Sequence, residues 1–276
     1  MKIEYIRLLG EGSFSKVYEV KINEKRFAAK LEDKMVKYPL LEKEASVHKL
    51  LYEKDRNNEY ILPFYGYFED EERRYFLMEL MYMSLGDILK KVELNFDDFS
   101  IANIAKKLID VLKFIHSIGI VHGDIKPDNV LISKDYLKIY LMDFGLAKMY
   151  MRDGRHLKIK NDVNPSGTLR YMSPYVNNNI RMSRRDDLIS LGYMLIYLQK
   201  KSLPWQSIDA QTKREKYKKI ASMKFAYNLD KLCEGCHKGI EKYLKYCYKL
   251  DFETAPDYNF LMNLFESSSG LKKIDE

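Results

Sequence analysis

No run of this chain is long and apolar enough to read as a membrane span. The longest apolar stretch, Leu188 to Leu198, is interrupted by Ser190 and Gly192 and is too short for a bilayer. Met1-Lys2-Ile3-Glu4 places charges where a secretory segment needs apolar residues. Cysteine is scarce: Cys233, Cys236 and Cys247 give no disulfide framework and suit a reducing compartment. Cys233-Glu234-Gly235-Cys236-His237 has the outline of a metal or redox site. A structural zinc normally takes four ligands, however, and no second Cys/His pair lies at suitable spacing. A redox Cys-x-x-Cys is expected beside a β-α-β unit, whereas this one follows a helical stretch, so the cysteines read as structural. Internal repeats and low-complexity linkers are absent too. Neither sign of charge dominates: a net charge of +7 suits acidic substrates or plain solubility and gives no ground for nucleic-acid binding.

What is present describes an ordinary globular protein, with 276 residues, 46% hydrophobic and 32% charged. That length holds one large domain or two small lobes with a substantial core. The texture changes near residue 80. Before it, Tyr5–Leu9, Lys16–Ile22, Arg26–Leu31, Ile61–Phe68 and Tyr75–Leu80 read as five strands of an antiparallel sheet, interrupted by one helix over Leu40–Leu51. Beyond residue 84 the pattern is mainly helical. Ile101, Ala105, Leu108, Ile109, Leu112 and Ile115 fall at helical spacing, as do Leu188, Leu191, Leu195 and Leu198, and then Ile240, Tyr243, Leu244 and Cys247. The expected class is α+β, with a small β-rich lobe over 1–82, a larger α-rich lobe over 83–265 and a disordered tail over 266–276.

The chemistry concentrates in His122-Gly123-Asp124-Ile125-Lys126-Pro127-Asp128-Asn129 and Asp143-Phe144-Gly145. Taken singly, short Asp/Asn/Gly/Pro runs are turns. Together, with Asp124 and Asp143 19 residues apart, they resemble the protein-kinase catalytic loop and the triplet that follows it, except that Gly123 stands where most kinases carry arginine. Phosphoryl transfer needs positioning and charge stabilisation more than covalent chemistry. Asp124 is the expected base, Lys126 a cation for the transferring phosphate, and Asn129 and Asp143 the hard oxygen ligands that Mg²⁺ prefers. ATP and Mg²⁺ are the implied cofactors. Gly10-Glu11-Gly12-Ser13-Phe14-Ser15-Lys16-Val17 is similar to the kinase glycine-rich loop, with Ser15 for the third glycine; Gly10, Gly12 and Ser13 would meet phosphates. Phe27-Ala28-Ala29-Lys30 resembles the element whose lysine holds the α- and β-phosphates, with Glu44 the expected partner of Lys30 and Glu42 its rival. Met78-Glu79-Leu80-Met81 would be the hinge, Glu79 and Met81 meeting the adenine edge. Val17, Ala28, Leu131 and Met142 read equally as pocket walls and as ordinary core.

Longer segments narrow the resemblance. Gly167-Thr168-Leu169-Arg170-Tyr171-Met172-Ser173 and Ser183-Arg184-Arg185-Asp186-Asp187-Leu188-Ile189-Ser190-Leu191-Gly192-Tyr193 are similar to signature segments of the casein kinase I family. Ser202 to Gln206, Thr212 to Tyr217 and Pro256 to Tyr258 continue in register, so the resemblance covers about residues 5–265. It implies a bilobal kinase fold and serine/threonine transfer to acidic or already phosphorylated protein substrates. Thr168 would help fix Asp124 and Lys126, and Asp187 would anchor the catalytic-loop backbone. Arg170 matches an arginine assigned to anion recognition and Lys201 could add charge, while Asp209 replaces a usual lysine and weakens that site. Arg152, Arg155, Lys158 and Lys160 either compensate or form an exposed flexible loop. His48, His116, His156 and His237 read as packing or surface residues, and His122 as a support for its loop. Lys213-Arg214-Glu215-Lys216 reads as a localisation patch or, preferably, a solvated helix face.

Gly123 leaves the usual activation-loop phosphate no arginine to act on, so activity without activation-loop phosphorylation is expected. Glycine there also occurs in the vaccinia-related kinases, the competing kinase assignment; a pseudokinase-type scaffold is the non-enzymatic one. The sequence ends soon after the helical lobe, so no long autoinhibitory tail is expected. A monomer in the cytoplasm, with the nucleus as a second location, that binds neither nucleic acid nor membrane completes the expectations.

Overall fold

Alternation along Lys25–Asp33 decides the first layer of structure. Ala29 and Leu31 face one apolar cluster with Val20, Ile22, Tyr75 and Leu77, while Ala28 faces another with Leu41, Ala45, Phe76 and Met78. A strand buried on both faces belongs in the middle of a sheet, and that is its place. The computed structural model describes residues 3–12, 15–37, 39–91, 96–134 and 138–266. Strands β1 (Glu4–Glu11), β2 (Lys16–Ile22), β3 (Lys25–Asp33), β4 (Phe64–Glu69) and β5 (Arg73–Met78) form an antiparallel sheet in the order β1-β2-β3-β5-β4. Helix α1 (Leu41–Lys54) buries Leu41, Ala45, His48 and Leu51 along one stripe.

The fourth strand begins later than its apolar pattern suggests. Ile61 and Leu62 are fully buried but lie outside β4. The Asp55 carboxylate at the end of α1 accepts the backbone N–H groups of Glu59, Tyr60 and Ile61, and Pro63 has no N–H to give a ladder. The expected strand over Ile61–Phe68 is therefore a side-chain-anchored loop leading into a shorter strand. Likewise β5 stops at Met78, with Glu79 N–H turning to Pro63 O at 3.3 Å.

Spatial proximity groups the chain into two units that are discontinuous in sequence: residues 1–88 with 128–147, and 89–127 with 148–276. Within the first, Met83–Ser84, Val130–Ile132 and Ile139–Leu141 make a small three-stranded antiparallel sheet in a stretch whose pattern reads as mainly helical. Helix α2 (Leu85–Lys91) follows directly.

The second unit is mainly helical. Its first long helix, α3 (Asp98–Ser117), starts where Asp97 accepts the Ser100 N–H at 2.8 Å, and it buries all six residues of its expected stripe. Ser173 caps α4 (Pro174–Asn177). Helix α5 (Arg184–Lys200) opens where the Asp186 carboxylate accepts the Ser183 N–H at 2.7 Å, and it is buried almost all round. The remaining helices are α6 (Lys213–Ala226), α7 (Leu229–Cys233), α8 (Lys238–Lys249) and α9 (Tyr258–Asn263). Gly192 lets α8 approach α5, since a Cβ there would stand 2.4 Å from Leu244 Cδ2.

The Cys-x-x-Cys-His stretch joins α7 to α8. His237 Nδ1 accepts the Gly239 N–H at 3.0 Å and so serves as a helix cap. Burial pushes the Cys233 thiol up to about 12 and raises those of Cys236 and Cys247. Among the described residues no helix is long and apolar enough to cross a membrane.

Candidate active site

In the first unit the polar centre forms around Lys30. Its Nζ donates to both Glu44 oxygens at 2.7 Å and to Asp143 Oδ1 at 2.9 Å. Lys30 and Glu44 are buried, whereas the Asp143 side chain keeps a third of its surface exposed. Glu42, the rival partner, points to solvent at the surface of α1. Burial alone would push the Lys30 amine down, but the carboxylates of Glu44 and Asp143 reverse that and hold it above its usual range, so it is a fixed cation.

Local backbone explains how Asp143 comes into line. It sits at φ +67°, a left-handed conformation that a non-glycine residue adopts at a cost, and the next residues turn into a short 3₁₀ helix over Phe144–Leu146. Gly145 keeps room beside it: a Cβ there would lie 3.3 Å from Asp143 Oδ1 and 3.4 Å from Glu44 Oε2. Asn129 is buried at the head of the Val130–Ile132 strand, and its carbonyl accepts the Met142 N–H at 2.9 Å.

Around this centre the structure gathers the expected wall residues. Ala28 and Met78 belong to one apolar cluster, against which Val17, Met81, Leu131 and Met142 pack. Gly10 pairs with Val17 across β1 and β2, and Gly12 N–H donates to Ser15 O at 2.8 Å, closing the hairpin. Nothing lies within 4 Å of a Cβ built on Gly10. Ser13 and Phe14 lie outside the described residues. Glu79 is half-buried, with its carboxylate accepting the Tyr65 hydroxyl at 2.5 Å.

The second unit carries the other half of the predicted set. Asp124 is buried, and its Oδ1 accepts both the backbone N–H and the hydroxyl of Thr168 at 2.7 Å. Oδ2 accepts Lys126 Nζ at 2.6 Å. His122 Nδ1 takes the Asp124 N–H at 3.1 Å, the loop-supporting role expected of it. Asp187 on α5 accepts the His122 N–H at 2.7 Å and the Gly123 N–H at 2.8 Å. A carboxylate buried beneath two loop amides fixes the loop and is itself satisfied by it.

Four residues of this half have roles that the sequence reading missed. His116 is more than packing: Nε2 bonds Asp187 Oδ2 at 3.0 Å and Nδ1 bonds the Tyr258 hydroxyl at 2.7 Å. Its carbonyl also accepts the Tyr150 hydroxyl. Lys224, almost fully buried, donates to Leu169 O, Met172 O and Asn177 Oδ1, with the Trp205 and Tyr193 rings 5.0 and 5.3 Å away. It ties down the segment that carries Thr168 and Arg170. Gly123 has φ +84°, and a Cβ on Gly167 would collide with Gly123 O at 2.5 Å, so two glycines set this approach. A lone histidine, a lysine in a charged helix and two glycines carry no sequence signal for such roles.

The candidate anion residues are at the surface. Arg170 is exposed, its guanidinium 4.7 Å over the Tyr197 ring, and its carbonyl accepts Trp205 Nε1–H. Asp209 turns its carboxylate to the Ala210 N–H. Arg152 and Arg155 are exposed on a two-residue hairpin turned by Asp153 and Gly154, both at positive φ. This part of the stretch forms a short exposed ribbon.

The donor set fits a nucleotide and a hard divalent cation. Among the described residues no three His, Cys, Asp or Glu side chains gather into a metal cage. Magnesium needs none, since it keeps waters and takes one or two protein oxygens together with phosphates. A sequence model for the protein kinase domain matches residues 3–256. The chain therefore belongs to the protein kinase family, whose members transfer phosphoryl groups and use ATP with a divalent metal.

Proposed function

We propose that the protein is a serine/threonine kinase of the casein kinase I type that works without a phosphorylated activation segment. The observation that supports this best is the completeness of both polar sets: Lys30 with Glu44 and Asp143, and Asp124 with Thr168 and Lys126. A pseudokinase scaffold has no need of either.

When bound, ATP supplies the γ-phosphoryl group and Mg²⁺ offsets its charge. Asn129 and Asp143 would hold the metal, Lys30 the α- and β-phosphates, and the Gly10–Ser13 backbone the phosphate chain. Val17, Ala28, Leu131 and Met142 would flank the base, with Glu79 and Met81 along its edge. Asp124, oriented through Oδ1 by Thr168, takes the proton of the acceptor hydroxyl. Lys126 directs its ammonium to the charge that develops on the transferring group. Lysine two residues after the base favours serine and threonine as acceptors.

The preferred substrates in this proposal are proteins with acidic or phosphorylated segments, read by Arg170 and Lys201, with Arg152, Arg155, Lys158 and Lys160 adding positive charge. Neither nucleic acid nor membrane is a partner, and the protein acts as a monomer in the cytoplasm with access to the nucleus. Gly123 favours one other reading, a vaccinia-related-type kinase; Pro127-Asp128 favours the casein kinase I type.

A radiolabelled-ATP assay on an acidic protein substrate, wild type beside Asp143→Asn, tests the activity. Signal in the wild type alone supports it; equal signal in both, or none in either, rejects it. A peptide library with and without priming phosphates tests the substrate class. Phosphatase treatment tests regulation: loss of activity that maps to residues 146–173 would overturn phosphate-independent action.

A further inference from the structure

We propose that Glu32 is a positioning residue for the Lys30–Glu44 pair, acting by holding the N-terminal end of α1. This rests on the role proposed above for that pair. The start of α1 lacks a cap of its own. Its N-cap residue is Leu40, which has no side-chain oxygen, and the first amides of a helix have no partner within it. Glu32 supplies the missing acceptor from β3: Oε1 takes the Leu40 N–H at 2.8 Å and the Leu41 N–H at 3.2 Å.

The arrangement is built rather than incidental. Glu32 is 2% exposed, a burial that a carboxylate tolerates only when its oxygens are satisfied. Its other oxygen, Oε2, meets Arg74 Nη1 at 3.3 Å, and Arg74 is its register partner on β5. A carboxylate is also the favoured charge at the positive end of a helix.

Geometry links the cap to the catalytic pair. Residues two apart on a strand share a face, so Lys30 and Glu32 both point from β3 to α1. Lys30 grips Glu44 and Glu32 grips the helix end one turn earlier. The Glu44 N–H in turn donates to Leu40 O at 2.9 Å, so the capped residue and the paired residue belong to one hydrogen-bonded turn. The contact between Lys30 and Glu44 holds α1 at one point along its length. A second attachment on the same strand face fixes its slide and its rotation, and with them the carboxylate that orients Lys30.

The test uses the full chain and compares Glu32→Ala, Glu32→Gln and Lys30→Met with wild type. Melting temperature, KM for ATP, KM for an acidic peptide and kcat are measured well below the melting point. Glu32→Ala should raise KM for ATP about tenfold and lower kcat, leaving the peptide KM unchanged, because small displacements of a positioning group are costly in rate. Glu32→Gln keeps an acceptor oxygen without the charge and should fall between Ala and wild type; it carries the test if the Ala variant does not fold. Hydrogen exchange at Leu40 and Leu41 should quicken in both. A Glu32 variant that melts earlier yet keeps wild-type KM and kcat would reduce the residue to a stabiliser and overturn the proposal alone. A Lys30→Met protein as active as wild type would overturn the reading of the pair, and the proposal with it.

Discussion

Gly123 answers two demands at one position. It removes a cation from beside Asp124, and it lets the chain take φ +84° while giving its N–H to Asp187. The second demand is steric and applies to any L side chain. Gly123→Ala should therefore lower stability by about 1 kcal/mol in urea unfolding while adding no charge. An unchanged midpoint would mean that the loop relaxes around a Cβ. His48 gives a pH-dependent counterpart. It is buried against Phe76 and Phe144, its Nε2 donates to Leu62 O at 2.7 Å, and burial pushes its pKa down to about 4. The unfolded chain takes up its proton near pH 6.5, the folded chain only near pH 4. Stability from this group is thus whole above pH 6.5, falls between 6.5 and 4, and is lost below, on the order of 3 kcal/mol in all. His48→Gln keeps a donor and does not titrate, so its melting temperature should decline less than that of wild type over that window.

At the scale of elements, close approach matters as much as apolar burial. Gly192 sits in a helix, where glycine is normally a cost, yet it leaves space that Leu244 of α8 fills. Gly192→Ala should destabilise by about 1–3 kcal/mol through overpacking, despite its better helix propensity; a rise in melting temperature would reject this account. The comparison of α1 with α3 shows what a sequence can announce. Asp97 stands directly before α3 and marks its start, and the stripe from Ile101 to Ile115 marks its buried face. The start of α1 carries no capping side chain of its own, because its cap comes from another element: Glu32 reads as an ordinary charged residue at a strand end. Lys30, Glu44, Asp124, Asn129 and Asp143 stood out in the sequence because they fall in motifs that resemble those of kinases, and the structure brings Lys30, Glu44 and Asp143 together. Glu32, His116, Lys224 and the conformation of Gly123 did not, because each works through contacts made outside its own element.

At the scale of the molecule, the two polar sets fall in different units, and the proposed function gives them different work. Nucleotide holding and proton removal should therefore separate by mutation. Asp124→Asn should retain the affinity for Mg·ATP, read by calorimetry, while kcat falls by about 10²–10⁴-fold. Lys30→Met should lose nucleotide affinity as well. Loss of binding in Asp124→Asn would show that the second set also holds the nucleotide. The three thiols have a practical meaning at this scale. Cys233 and Cys247 are buried, Cys236 is half-buried, and all three are held in the protonated form. Alkylating reagents act on thiolate, so the folded protein should be nearly inert to iodoacetamide at neutral pH, and denaturation should release all three sites. The number of carbamidomethyl groups counted by mass would then serve as a clock for unfolding, with no engineered reporter.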